Sequence, residues 1–110
     1  MTEEEKQEAY NGFATAVNLS PGELKQWLDT EQSKSVGDSD GGEESTGHKS
    51  GRRIVEIKRR AKAQLTDEDY HHMRKVVGYV HRHLAQRPAG DITETRWRYS
   101  LMNWGHDPTR

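Results

Sequence analysis

The chain has 110 residues, 30% hydrophobic and 32% charged, with a formal net charge of −1 and no cysteine. A chain of that size and composition builds one domain with a lean core, and the missing thiols exclude disulfides, thiolate metal sites and cysteine nucleophiles. No apolar run approaches the roughly 20 residues of a membrane span, and the acidic start MTEEEKQEAY lacks a signal peptide's basic and apolar regions, so a cytoplasmic protein without a membrane anchor is expected.

The first predicted helix covers residues 2–17. Thr2 and Glu5 have the spacing of a capping box, and Tyr10, Phe13 and Val17 form one apolar stripe. The second, near 20–32, opens at NLSPGELKQWL. Ser20 is its N-cap, Pro21 takes the first helical position and Glu23 closes a second box. Leu19 and Leu24 occupy the positions of a hydrophobic staple, and Trp27 and Leu28 supply a buried face. From Ser33 to Ser50 the periodicity stops, and Gly, Ser, Asp and Glu predict a long flexible acidic loop.

The third helix, near 51–64, is expected to start from Ser50 as cap, with Ile54, Ile57, Ala61 and Leu65 on one face. The fourth, near 67–86, starts from Thr66 with Asp69 closing its box. Tyr70, Met73, Val77, Val80 and Leu84 alternate in steps of three and four, as in a packed helix seam. The fifth, near 93–104, carries Trp97, Leu101 and Trp104 on one side, with Gly105 placed for a left-handed cap and Pro108 beyond it. No segment alternates like a strand, so the fold class is all-α: about five helices in one domain, 1–110. Residues 1–32 form an acidic helical pair, 33–50 the loop and 51–110 a basic core unit. The main core should gather around Ile57, Tyr70, Val77, Val80, Trp97 and Trp104, with the N-terminal pair packed on it or standing as a small unit of its own.

Charge is distributed unevenly along these elements. Residues 1–47 carry three Lys and no Arg against eleven acids, whereas residues 48–110 carry fourteen Lys and Arg against seven acids and hold all six histidines. Such asymmetry suits a polyanion partner, docking of the two halves, or both. A helix starting at Ser50 would aim free backbone N–H groups outward beside Lys49, Arg52 and Arg53, an arrangement that attracts phosphate. Those arginines could equally pair with the acidic loop just before them, the segment Asp38–Glu44 then mimicking phosphate. Arg59 and Arg60 continue the polar face of the same helix. On the next helix His71, Arg74, Lys75, Gly78 and Arg82 make a basic stripe, with Gly78 read as a point of close helix approach.

Other chemistry is not indicated. His71 and His72 are adjacent and His81 and His83 are two apart, so neither pair has the i, i+4 spacing of metal ligands on a helix. Asp40, His48 and Ser50 fall in or beside the loop and make no preorganised catalytic set. No cofactor, metal or enzymatic activity is therefore expected. Trp97, Tyr99 and Trp104, interleaved with Arg96 and Arg98, could stack bases but suit the core of a small helical domain better.

The runs SGRRIVEIKRR, LTDEDYHHMRKVVGYVHRHLAQRP and TRWRYSLMNWGHDP, with LSPGELKQWL, resemble a small bacterial family catalogued as domain of unknown function 3140. Its members are commonly labelled as candidate DNA-binding proteins, and the resemblance implies no particular catalytic or binding residues. LSPGELKQWL followed by SGRRIVEI is also similar to the SAP-type DNA-binding motif. Leu24 and Leu28 match its first helix and Gly51, Arg52, Arg53, Ile54 and Ile57 the start of its second, although the intervening loop is longer. That resemblance implies that Gly51, Arg52 and Arg53 meet the phosphate backbone. The expectation is a protein that binds nucleic acid, double-stranded DNA before RNA, with little sequence specificity, through Lys49, Gly51, Arg52, Arg53, Arg59, Arg60, Arg74, Lys75 and Arg82. The alternative is a protein–protein adaptor or small helical oligomer that docks by its apolar seam or Trp-rich end.

Overall fold

Capping chemistry decides where the helices begin. In the computed structural model, which describes residues 1–37 and 44–110, Thr2 with Glu5, Ser20 with Glu23 and Thr66 with Asp69 all form reciprocal capping boxes. They open α1 (Glu3–Ala16), α2 (Pro21–Leu28) and, later in the chain, α5 (Asp67–Leu84). Between them lie α3 (Glu31–Ser35) and α4 (Thr46–Arg59), and α6 (Arg96–Asn103) follows; a 3-10 turn at Lys62–Gln64 joins α4 to α5. No strand occurs among the described residues, so the architecture is all-helical.

Several boundaries differ from the sequence reading: α4 ends at Arg59, leaving Ala61 and Leu65 outside it, α6 begins only at Arg96, and both edges of the expected loop move. α3 follows a cap at Thr30, whose side chain accepts from the Ser33 N–H, and it removes Ser33–Ser35 from the expected loop. At the other end of that loop Ser45, not Ser50, caps α4, its hydroxyl accepting from the His48 N–H at 3.1 Å. Ser50 is buried inside the helix, and Gly51, Arg52 and Arg53 lie in its second turn rather than at its start. Of the acidic segment Asp38–Glu44, only Glu44 falls among the described residues.

α1 and α5 lie side by side and run in the same direction. Lys6 reaches Asp67 at 3.3 Å, Glu5 faces Arg74 at 3.7 Å, and Gly12 lets Val77 approach to within 3.3 Å of where a Cβ would stand. α2 packs on α4, and α6 touches α2, α3, α4 and α5. One cluster unites Ala9, Phe13, Val17, Leu24 and Leu28 of the N-terminal part with Ile54, Ile57, Met73, Val76, Val80, Trp97, Leu101 and Trp104. The N-terminal helices are thus part of the same core, and α1 covers the seam of α5.

Close approach is made at Gly51, not at Gly78. A Cβ on Gly51 would stand 2.6 Å from the Asn103 carbonyl oxygen and 2.7 Å from Leu28 Cδ2, whereas one on Gly78 would meet only the Arg82 guanidinium, at 3.0 Å. α6 ends as its sequence suggests. Gly105 has φ +84°, its N–H donates to the Met102 carbonyl and the His106 N–H to that of Leu101, completing a Schellman motif. The chain beyond α6 then fastens onto the α1–α2 connection: the Leu19 N–H donates to Gly105 O, and Asn18 and Asp107 exchange two hydrogen bonds.

Candidate functional site

The two basic features of the sequence converge. α4 and α5 border a cleft of about 410 Å³ into which α4 brings Thr46, Lys49, Ser50, Arg52, Arg53 and Glu56, and α5 brings His72 and Lys75. Helical spacing explains the convergence. Lys49, Arg52, Arg53 and Glu56 recur at i, i+3, i+4 and i+7, and His72 and Lys75 at i, i+3, each set on one face of its helix. Among the described residues Glu56 is the one carboxylate that lines the cleft, against Lys49, Arg52, Arg53 and Lys75.

The cations are not equally free. Arg52 forms a bidentate pair with Glu44, which also bonds His48 Nδ1; His48 Nε2 in turn donates to the Leu28 carbonyl at 2.6 Å. Arg52 and then His48 hold the Glu44 carboxyl below the usual range, against the opposing effect of burial. Arg53 donates to Asp69 at 3.0 Å, and Arg60 grips the same carboxylate with contacts of 2.8 and 2.7 Å. Burial works to raise the Asp69 pKa. The Thr66 N–H, Arg60 and Arg53 outweigh it and hold the group at about 2. Lys49, Lys75 and Arg82 have no ion pair among the described residues.

At the floor of the cleft Ser50 Oγ and His72 Nε2 stand 3.0 Å apart. Burial, followed by the charges of Arg53 and Lys75, brings the His72 pKa down to about 4, so the ring is neutral at pH 7 and can accept the serine proton in a hydrogen bond. An anion bound there would favour the imidazolium.

A second hollow, of about 390 Å³, adjoins the first and shares Thr46 and Lys75 with it. Tyr79, Arg82, Ser100, Asn103, Trp104 and the glycines Gly37 and Gly47 complete its lining. Behind it runs a file of near-parallel rings, His72, Trp104, Tyr79, His83 and Trp97, with neighbouring centroids 4.3 to 6.3 Å apart. Arg87 lies over the far face of Trp97 at 5.7 Å. The file arises because α5 presents His72, Tyr79 and His83 at i, i+7 and i+11, and Trp97 of α6 and Trp104, its C-cap, interdigitate with them.

The expected site residues therefore divide. Lys49, Arg52, Arg53 and Lys75 share the cleft, and Arg82 borders the adjoining hollow. Gly51, on α4, is packed against α6 and α2. Arg59 lies in a smaller hollow of about 260 Å³ with Lys25, Asp29 and His48, Arg60 is committed to Asp69, and Arg74 faces Glu5 of α1. The SAP-type correspondence is displaced with the start of α4: Gly51, Arg52 and Arg53 do not begin a helix, and α3 intervenes. Sequence reasoning missed Ser50, His72 and Trp104 as cleft and hollow residues. The spacing of His72 and Lys75 was the available signal for the histidine.

Against known proteins, a family model described as "Protein of unknown function (DUF3140)" matches residues 12–102. No curated protein and no solved structure matches the chain.

Proposed function

The chain belongs to that family of proteins of unknown function, and from this premise we propose that it binds nucleic acid, double-stranded DNA in particular, through its phosphates and with little sequence specificity. One observation carries the reading: two basic stretches, separate in sequence, come together around the α4–α5 cleft. Lys49 and Lys75 are unpaired among the described residues, Arg52 and Arg53 stand beside them, and the cleft wall adds Ser50 and His72. Phosphate oxygens accept from such donors, and contacts to phosphate carry no base sequence. Glu44, holding Arg52, competes with a phosphate for that guanidinium. DNA binding would associate the protein with the nucleoid in the cytoplasm.

The adaptor reading has less support. The seam of Tyr70, Met73, Val77 and Val80 is covered within the chain, and no large hydrophobic side chain is exposed among the described residues. Titrating labelled duplex at several salt concentrations tests the proposal. Affinity should fall steeply with salt, and the double substitution Lys49→Ala with Lys75→Ala should reduce the logarithmic salt slope by about 2. A wild-type chain that retains no duplex even at low salt would end it.

A further inference from the structure

The molecule has three tryptophans, and two have their indole N–H satisfied inside the fold. Trp27 Nε1 donates to Asn103 Oδ1 and Trp97 Nε1 to the His83 carbonyl, each at 2.7 Å. Trp104 is only 4% exposed, yet its N–H meets no acceptor among the described residues, and the residue lines the 390 Å³ hollow. The N–H is not sealed in the core, since among the described residues Arg53 Nε is the one fully buried side-chain polar atom without a partner; the indole donor opens on the hollow and is left for an acceptor that arrives from outside. Gly47 supplies a second, independent sign. A Cβ there would stand 3.1 Å from Trp104 Nε1, so the glycine keeps the indole N–H uncovered in a helix where alanine would be the better former.

The rest of the hollow has the same polarity. Lys75 and Arg82 are donors only, Ser100 and Thr46 add hydroxyls, and no carboxylate lines it among the described residues. Asn103 is turned largely inward: its oxygen accepts from Trp27 and Ser33, and one N–H of its amide donates to the Ser33 carbonyl. A ligand matched to this wall is compact, bears acceptors along one edge and reaches a phosphate position through Lys75, which belongs to both cavities. The faces of Trp104 and Tyr79 are already occupied in the ring file, so the ligand enters edge-on rather than by stacking between them.

We propose that the hollow receives one unpaired, keto-bearing nucleobase, its carbonyl oxygen accepting from the Trp104 N–H and from Arg82 while its phosphate lies on Lys75. This rests on the phosphate-binding reading and adds to it a base pocket that an intact duplex cannot fill. Thymine, uracil and guanine present such carbonyl edges; adenine, with its exocyclic amine, presents a donor to a wall of donors.

Four versions of one labelled duplex test the idea on the full-length chain at low salt: intact, with a single bulged thymidine, with a bulged adenosine, and with a bulged abasic nucleotide. The bulged thymidine should bind about tenfold more tightly than the intact duplex, the gain of one or two well-made hydrogen bonds, and the adenosine and abasic bulges should not. Gly47→Ala, which covers the indole N–H, should erase the thymidine advantage, with far-UV circular dichroism confirming the helices. Equal affinity for intact and thymidine-bulged duplex overturns the base pocket while leaving phosphate binding intact. An equal gain from the abasic bulge overturns it too, since flexibility alone would then explain the preference. Failure to bind any of the four overturns the phosphate reading itself.

Discussion

Single residues carry most of what distinguishes this molecule from a generic helical bundle. Gly51 and Gly78 show how little a glycine's place in a helix says of its purpose. Gly51→Ala puts a methyl group against the backbone of α6 and should cost about 2 kcal/mol in urea unfolding, in line with overpacked cores. Gly78→Ala should instead stabilise by up to about 1 kcal/mol, because only the movable end of Arg82 is nearby. Asp69 is the other residue of consequence. Fully buried and depressed to about 2, it contributes its stability above the unfolded carboxyl pKa near 4 and loses it as pH falls toward 2. That loss is about 2 kcal/mol. His72, depressed from 6.5 to about 4, adds an earlier loss as pH falls between those values. Urea midpoints measured against pH should therefore decline in two stages. Asp69→Asn should start less stable and lack the lower stage.

At the scale of the element, the legible parts were those with strong local chemistry. The three capping boxes, the staple leucines and the left-handed Gly105 each involve residues a few positions apart, so the sequence alone contains the whole interaction. α4 failed that test. Its first turns read TGHKSG, with poor intrinsic helix formers, and two serines compete for the cap. What holds the segment helical is tertiary: Gly47, Ser50, Gly51 and Ile54 recur at i, i+3, i+4 and i+7 and are all buried, the small ones admitting Trp104, Asn103 and Leu28 at close range. The stripe was present but made of residues that ordinarily signal a loop. α3 escaped notice for a related reason, since only Ser33 of its five residues is buried. The candidate site was half legible. Its cations stood out as charge, but their sorting depended on Asp69, Glu44 and Glu5, partners 8 to 69 positions away. The register of α4 can be checked directly. Amides from Lys49 to Arg53 should exchange slowly with deuterium, and Ser45→Ala should cost about 1 kcal/mol.

For the whole molecule, the fastening of the C-terminal segment onto the α1–α2 connection has a consequence in time. Asn18 bonds Asp107 across 89 positions, Ala16 accepts from His106 across 90, and Arg110 reaches back to Glu23. α1 leaves the ribosome well before its neighbour α5, which begins only at Asp67, and its connection to α2 is closed by contacts from Gly105 and Asp107. These closures join segments far apart in sequence, and such non-local contacts slow folding relative to a bundle held by local contacts alone. Refolding followed by stopped-flow fluorescence should accordingly be resolvable on the millisecond scale or slower; completion within the dead time would contradict it. During synthesis, the acidic first helices must wait as an unclosed half, with the apolar face of α1 uncovered until α5 emerges and the α1–α2 connection open until Gly105 and Asp107 follow.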